Sequence, residues 1–105
     1  MHVFYHDPDA KLDYHMEWQD ALSQDGDYID TSTWVVPDGI AASSPSHYVG
    51  QERDGYGQTR AVQVTSVFLE VTNDAGPGPF VITNRVETVR GRTIDQSFEL
   101  RLKEL

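Results

Sequence analysis

Apolar and polar residues alternate in two consecutive runs near the end of the chain. The mainly apolar sides of these runs gather Phe80, Ile82, Asn84, Val86 and Thr88, then Ile94, Gln96, Phe98, Leu100 and Leu102. Because successive side chains of a strand point to opposite faces, each run predicts a half-buried β-strand. The short linker between them contains Gly91, which favours a tight turn and predicts an antiparallel hairpin.

Similar patterns predict most of the remaining elements. We expect strands over residues 2–6, 11–18, 28–36 and 60–71, with short strand fragments around residues 40–42 and 47–49. The run 11–18 alternates cleanly, whereas a helix from Asp13 to Leu22 would place its apolar residues less well on one face. The apolar register changes near Thr65 and Ser66, which predicts a bulge or a bend there.

The segments between these runs are rich in turn-forming residues. We expect a turn over residues 19–27, around Asp25-Gly26-Asp27, and a loop over residues 72–79. Residues 43–59 combine serines, Pro45 and three glycines, so we expect an irregular loop that is mobile at 51–59. A chain of 105 residues with this pattern predicts a single all-β domain, an antiparallel sandwich of about seven to eight strands.

The same alternation predicts which side chains form the core. Burying a large apolar side chain is worth roughly 1.5–3 kcal/mol before chain entropy is counted. The expected core residues are Leu12, Tyr14, Met16, Trp18, Ile29, Trp34, Val36, Ile40, Val67, Leu69, Val71, Phe80, Ile82, Val86, Ile94, Phe98, Leu100 and Leu102. Asn84 lies in an otherwise apolar row, so we expect it to be buried and hydrogen-bonded, most simply to the backbone of a neighbouring loop.

Composition argues against several classes of protein. Cysteine is absent, so the chain has neither a disulfide framework nor a zinc site with thiolate ligands. The first residues lack the basic and apolar regions of a signal peptide, and no run of about 18 apolar residues predicts a membrane span. The net charge of −9 disfavours nucleic acids and anionic membranes as partners.

The charge is unevenly distributed along the chain. Residues 1–50 have a net charge of −8 and residues 51–105 a net charge of −1. Arginines of the second half include Arg60, Arg85, Arg90, Arg92 and Arg101. We expect that Arg85, Arg90, Arg92 or Arg101 meets acidic residues of a neighbouring copy or partner, as in head-to-tail assemblies that close into rings or extend as filaments. A simply solvated surface explains the same pattern.

Patterns of metal-binding and catalytic residues are weak in this sequence. His2 and His6 would lie about 13 Å apart along a strand, and the other two histidines add no ligand spacing typical of zinc. Asp25-Gly26-Asp27 resembles part of a calcium loop but lacks the twelve-residue pattern. No serine lies in a Gly-x-Ser-x-Gly elbow. We therefore expect no catalytic site, no metal and no cofactor.

The aromatic residues leave a second interpretation open. Trp18, Trp34, Tyr48 and Tyr56 could form a sugar-stacking platform, which would make the domain a carbohydrate-binding module. Large aromatic side chains more often fill cores, so we expect Trp18 and Trp34 inside. Tyr48 and Tyr56 lie in the irregular segment, and they are our aromatic candidates for contact with a partner.

Both ends of the chain carry motifs of a known family. The motifs are Asp7-Pro8-Asp9-Ala10-x-Leu12-Asp13-Tyr14, Trp18-x-Asp20-x-Leu22, Asp27-x-Ile29-x-x-Ser32-x-Trp34-x-Val36-Pro37-x-Gly39-Ile40 and Thr83-Asn84-Arg85-Val86-x-Thr88-x-x-Gly91-Arg92-Thr93-x-Asp95-x-Ser97-Phe98-x-Leu100. In these motifs the chain resembles a group of small bacteriophage tail proteins that are often called fiber–tail adaptors.

The resemblance implies an immunoglobulin-like β-sandwich without catalytic residues. It implies a virion protein, made in the host cytoplasm, that links the phage tail to its fibers. Its partners would be other tail, connector and fiber proteins, and copies of itself in a ring or another multi-copy assembly. A different small connector or decoration protein of the virion is the alternative. The family has a compact strand pair in the middle, whereas residues 43–59 are longer, charged and Gly-rich, which makes this segment a candidate docking element.

Overall fold

A computed structural model describes residues 1–104 of the chain. The strands are β1 (His2–His6), β2 (Lys11–Glu17), β3 (Ile29–Val35), β4 (Ile40–Arg53), β5 (Thr59–Val71), β6 (Phe80–Thr88) and β7 (Thr93–Leu102). Between β2 and β3 lie a helical turn, α1 (Gln19–Leu22), and a 3₁₀ turn (Ser23–Asp25). With four residues, α1 is far too short to cross a bilayer, and no other helix described in residues 1–104 could do so.

The seven strands form two sheets, which confirms the predicted all-β sandwich. One sheet has the order β1-β7-β6-β3 and the other the order β2-β5-β4. All neighbouring strands are antiparallel except β1, which runs parallel to β7. The immunoglobulin sandwich likewise puts its second, fifth and fourth strands in one sheet and its third, sixth and seventh in the other. The strand orders therefore agree with the immunoglobulin-like arrangement that the resemblance implies, with β1 placed beside the last strand.

The core lies between the sheets, and most of the predicted core residues are in it. An aromatic cluster forms one part of it, because the rings of Phe4, Tyr14 and Phe98 lie within 5.2–5.4 Å of one another. The prediction was wrong for Leu12, which is 40% exposed because it lies on an edge strand, in the open groove between β1 and β2. Leu22 of α1 is fully buried and was not predicted, because its segment has no strand-like alternation.

Three predicted local structures were wrong. Residues 19–27 form α1 and a 3₁₀ turn rather than a simple turn. The expected loop over 43–59 is mostly strand, since β4 continues to Arg53 and pairs with β5 on both sides of a register shift. The bulge lies in β4 rather than β5, because the register shifts between Ser43 and Ser46, where Ser44 has a φ of 51°. Hydrogen bonding to β5 outweighs the low strand propensity of the Ser, Pro and Gly residues in β4.

A buried hydrogen-bond network around Asn84 joins the two sheets. Asn84 of β6 is fully buried. Its Oδ1 accepts hydrogen bonds from Trp18 Nε1 at 2.9 Å and from Thr65 Oγ1 at 2.6 Å. Its Nδ2 donates to Ser32 Oγ at 2.9 Å and to the Thr33 carbonyl at 3.1 Å. The prediction that Asn84 is buried with partners is confirmed, but its backbone partner lies in strand β3 rather than in a loop.

A second buried amide, Gln63 of β5, fixes the segment that connects β2 to β3. Its Oε1 accepts a hydrogen bond from the Ile29 N–H, and its Nε2 donates to Ser23 Oγ and to the Asp27 carbonyl, each at 2.9 Å. Its backbone carbonyl accepts from the Trp18 N–H at 2.8 Å. These bonds satisfy polar backbone groups that would otherwise be buried without partners, so Gln63 holds the helical segment against the sheet.

We predict that Asn84→Ala lowers the free energy of unfolding by roughly 3 kcal/mol, since it leaves several buried donors and acceptors unpaired. Chemical denaturation of the variant and the parent protein measures this difference. The control is Thr83→Ala, which removes one part-buried hydroxyl pair with Ser97 and is expected to cost only about 0.5–1 kcal/mol. Equal losses in the two variants would contradict a special role for the network.

Candidate interaction surface

The ends of β4 and β5 form a two-stranded ribbon that extends past the end of β2. β2 pairs with β5 only as far as Glu17, which lies opposite Val64, and Val64 in turn lies opposite Tyr48 of β4. Beyond this level the start of the α1 segment lies beside β5 at Gln63, and β4 and β5 then continue to the turn at residues 54–58. We call residues 48–62 the arm. It contains most of the segment that the sequence indicated as a candidate docking element.

The tip of the arm is an ordered turn that presents one aromatic side chain. Asp54 Oδ1 accepts hydrogen bonds from the Tyr56 N–H at 2.8 Å and the Gln58 N–H at 3.0 Å. The Asp54 N–H donates to the Gln58 carbonyl at 2.8 Å, and Gly57 has a φ of 80°, which glycine adopts at little cost. Tyr56 is 94% exposed. The turn therefore holds a large amphipathic side chain away from the rest of the protein.

Tyr48 is the second exposed aromatic residue of the arm. Its ring lies over Gly50, the next residue on the same face of β4, where any Cβ would collide with the Tyr48 ring and hydroxyl. Gly50 thus lets the ring lie along the strand rather than stand away from it. Tyr48 is 51% exposed, so one side of the ring is available for contact.

Three of the four arginines predicted to bind a partner already form ion pairs within the chain. Arg85 makes a two-pronged contact with Asp95, from Nε at 2.8 Å and from Nη2 at 3.0 Å. Arg101 Nε donates to Glu99 at 2.6 Å. Arg92 pairs with Asp27 at 2.8 Å. Within residues 1–104 no carboxylate lies within ion-pair distance of the Arg90 side chain, which is exposed.

A comparison with known protein families identifies the family of this chain. A family described as podophage GP4 fiber-tail adaptor protein gp77 matches residues 6–101. The chain belongs to this fiber–tail adaptor family. The match includes the arm and both sheets, and it confirms the family to which the sequence motifs pointed. A comparison with curated proteins finds no match.

In this member of the adaptor family, Asp27 has a structural environment rather than that of a calcium ligand. It is fully buried. Its Oδ1 accepts from the Tyr28 N–H at 2.9 Å and the Arg90 N–H at 3.2 Å, and its Oδ2 accepts from Arg92 Nε at 2.8 Å. Burial by itself raises the pKa of Asp27, but hydrogen bonds from Thr88, Arg92 and the two backbone N–H groups outweigh burial and lower the pKa to about 2.

Other polar and aromatic candidates are also buried and bonded inside the protein. His6 is fully buried, with its ring nitrogens 2.6 Å from the Tyr14 hydroxyl and 2.9 Å from the Ala10 carbonyl. Burial raises the pKa of Tyr14. Trp18 is fully buried and therefore has no face to offer a sugar. Among residues 1–104 no three His, Asp or Glu side chains gather in a way that could hold a metal ion.

Sequence reasoning missed the Asp27–Arg92 pair and the buried state of His6. The two partners of the pair are separated by 65 residues, and local spacing gives no signal for such a contact. The sequence feature that comes closest to predicting the contact is the position of both residues in glycine turns. Asp27 follows Gly26, and Arg92 follows Gly91 in the predicted hairpin turn. Both turns would lie at the same end of a sandwich, which brings them close together.

We predict that Asp27 contributes to stability in a pH-dependent manner. An aspartate whose pKa is lower in the folded state stabilises the fold above its unfolded pKa of about 3.9. That contribution is lost as the pH falls through the folded value of about 2. Asp27→Asn should therefore reduce stability at neutral pH, and its difference from the parent protein should shrink between about pH 4 and pH 2. Thermal unfolding at a series of pH values measures this.

Asp95→Asn is the matched control for this experiment. The pKa of Asp95 is also lowered, chiefly by its hydrogen bond with Arg85, but both side chains of that pair are substantially exposed. Solvent-exposed ion pairs contribute about 0–1 kcal/mol, so this variant should differ little from the parent at any pH. A pH dependence in Asp95→Asn as large as that in Asp27→Asn would contradict the assignment to the buried aspartate.

Proposed function

We propose that the protein is a non-enzymatic structural component of the virion that links the phage tail to its fibers through protein–protein contacts. The family match over residues 6–101 is the observation that carries this proposal. The protein is made in the host cytoplasm and acts in the assembled tail, in several copies, bound to tail or connector proteins on one side and to fiber proteins on the other.

The arm is the element that docks to a tail or fiber protein. It projects as a narrow ribbon with Tyr56 at its tip and Tyr48 along its outer face. Tyrosine is enriched at the centres of protein interfaces because it brings a large apolar area and a hydroxyl group with few torsions to fix. Insertion of the arm into a recess of a partner would bury both side chains without disturbing the sandwich.

Among the predicted arginine contacts, Arg90 has the most to offer a partner. Its side chain is exposed beside the β6–β7 turn and pairs with no carboxylate in residues 1–104. Arg85, Arg92 and Arg101 would each have to exchange an internal partner for an external one. An exchange of this kind gains little, since the acidic partner left behind must be solvated again.

We predict that Tyr56→Ala weakens binding to the tail or fiber partner at least tenfold while thermal stability is unchanged. The side chain makes almost no contact within the chain, because 94% of it is exposed. Affinity measurements against each tail and fiber protein encoded beside this chain provide the test. Loss of a central aromatic contact costs about 2 kcal/mol or more.

The matched control is Tyr28→Ala, which removes a tyrosine that is 47% exposed and lies directly before β3, outside the arm. We expect this variant to bind as the parent does. If Tyr28→Ala and Tyr56→Ala bind every partner equally well, the arm is not the docking element. If the parent chain binds neither tail nor fiber proteins, the proposed linking function is wrong.

A further inference from the structure

The arm has an unpaired backbone edge along β4. The carbonyl and N–H of Gln63 both point away from β4, since they bond to Trp18 and to the Gln19 side chain. Opposite residues of an antiparallel pair either bond to each other or both point outward. Val49 lies opposite Gln63, so it directs its backbone groups outward. By alternation the same holds for His47, Gln51 and Arg53.

Three of the other edge segments have features that prevent pairing with another chain, whereas the outer edge of β2 is a continuous run of seven residues that carries Lys11, Asp13 and Glu17. β1 has only five residues, and β3 contains a register shift between Ile29 and Thr31. The first half of β4 is interrupted by Pro45 and by the register shift between Ser43 and Ser46. Short edges, prolines and bulges are the usual protections of free strands. Residues 46–53 of β4 have no proline and no bulge.

A two-stranded ribbon in water is marginally stable at best, so pairing with a third strand would stabilise the arm. The charge distribution indicates the origin of that strand. The chain has a net charge of −9, but residues 40–69 contain two acidic and two basic residues and carry no net charge. The arms of two copies can therefore meet without the charge repulsion that the acidic remainder of the chain would cause.

We propose that β4 pairs antiparallel with β4 of a second copy, about a two-fold axis through Gly50. This deepens the proposed function, because it gives the self-association expected of the adaptor a specific surface. The register places Val49 opposite Gln51 and His47 opposite Arg53 of the second copy. All four outward residues then form hydrogen-bonded pairs, and the sheets join in the order β2-β5-β4-β4-β5-β2.

Side chains and shape are compatible with this pairing. In the same register Tyr48 lies opposite Glu52 of the second copy, so no two acidic side chains face each other. The missing side chain at Gly50 leaves room at the axis for the two Tyr48 rings, each of which already lies over its own Gly50. Because the strands run in opposite directions, the two sandwiches lie at opposite ends of the joined arms. The outer side of Tyr56 stays available to a different partner.

The proposed contact is isologous and differs from the head-to-tail contact expected from the two halves of the sequence. A head-to-tail joint that placed β4 of one copy along the outer edge of β5 of the next, in the register that these strands have within one chain, would put the first half of β4 where β2 already lies, opposite Val64 to Glu70. Two-fold dimers are the commonest symmetric assembly, and they need no further copy to satisfy both surfaces.

Single cysteines test this register, since the natural chain has no cysteine. The full-length variants Tyr48→Cys and Glu52→Cys are mixed under mild oxidation, and the disulfide-linked dimer is measured on a denaturing gel. We expect the mixture to cross-link several-fold more than either variant alone. The control is the mixture of Tyr48→Cys with Arg60→Cys, because Arg60 lies at the same level as Glu52 but on β5. Equal cross-linking in all mixtures overturns the proposal.

A proline variant tests the same edge without a cross-link. Gln51→Pro removes an outward N–H that forms no bond within the arm, and the preceding Gly50 tolerates proline. We expect the parent to be a concentration-dependent dimer by native mass spectrometry and sedimentation, and Gln51→Pro to be a monomer with the same far-ultraviolet circular dichroism. Asp13→Pro, on the outer edge of β2, is the control and should still form dimers.

The outcomes separate this inference from the proposed function. A parent chain that stays monomeric at every concentration overturns the dimer, whether or not it binds tail or fiber proteins. Oligomers that persist in Gln51→Pro overturn it as well and point to another contact between copies. If Gln51→Pro abolishes binding to a tail protein while the parent is a monomer, the β4 edge pairs with a strand of that protein and not with a second copy of the chain.

Discussion

The two sheets of this sandwich are held in register by one buried polar cluster. Asn84 of β6 bonds across the interior to Thr65 of β5 and to Trp18 at the end of β2, and along its own sheet to β3. An apolar interior tolerates sliding of one sheet over the other more readily than fixed donors and acceptors do. The network therefore selects one alignment of the sheets, and the positions of the β2–β3 connection and the arm follow from it.

The sequence was sufficient for the elements that alternate and pair locally. The β6–β7 hairpin and β2 follow from side-chain alternation, which is a property of neighbouring residues. The sequence predicts only fragments of β4, because Ser43 to Ser46 and Gly50 have poor strand propensity, and the long partner β5 makes the whole segment extended. The pairing of Asp27 with Arg92 depends on two turns that meet only after folding. The exposure of Tyr56 could be expected from its glycine-flanked position, whereas the internal partners of Arg85 and Arg101 could not.

Polar side chains have different roles in the two parts of the molecule. In the sandwich, Gln63, Asn84 and Asp27 are buried and fully bonded, so they specify geometry. In the arm, the charged residues are exposed and balanced, and the aromatic residues make few contacts with the chain. A connecting protein requires a rigid body and a projecting segment whose side chains make few contacts within the chain. The body can then keep its structure while the projection binds a partner.

The parallel pairing of β1 with β7 has a mechanical consequence. The two strands run in the same direction, from His2 beside Phe98 to His6 beside Leu102, and the ladder continues with a bond from the Lys103 N–H to the His6 carbonyl. A pull applied before β1 and after β7 would act along these strands in opposite senses. It would shear all their backbone hydrogen bonds together instead of opening them one at a time. The geometry thus resists tension along the axis of the sandwich more strongly than tension across it.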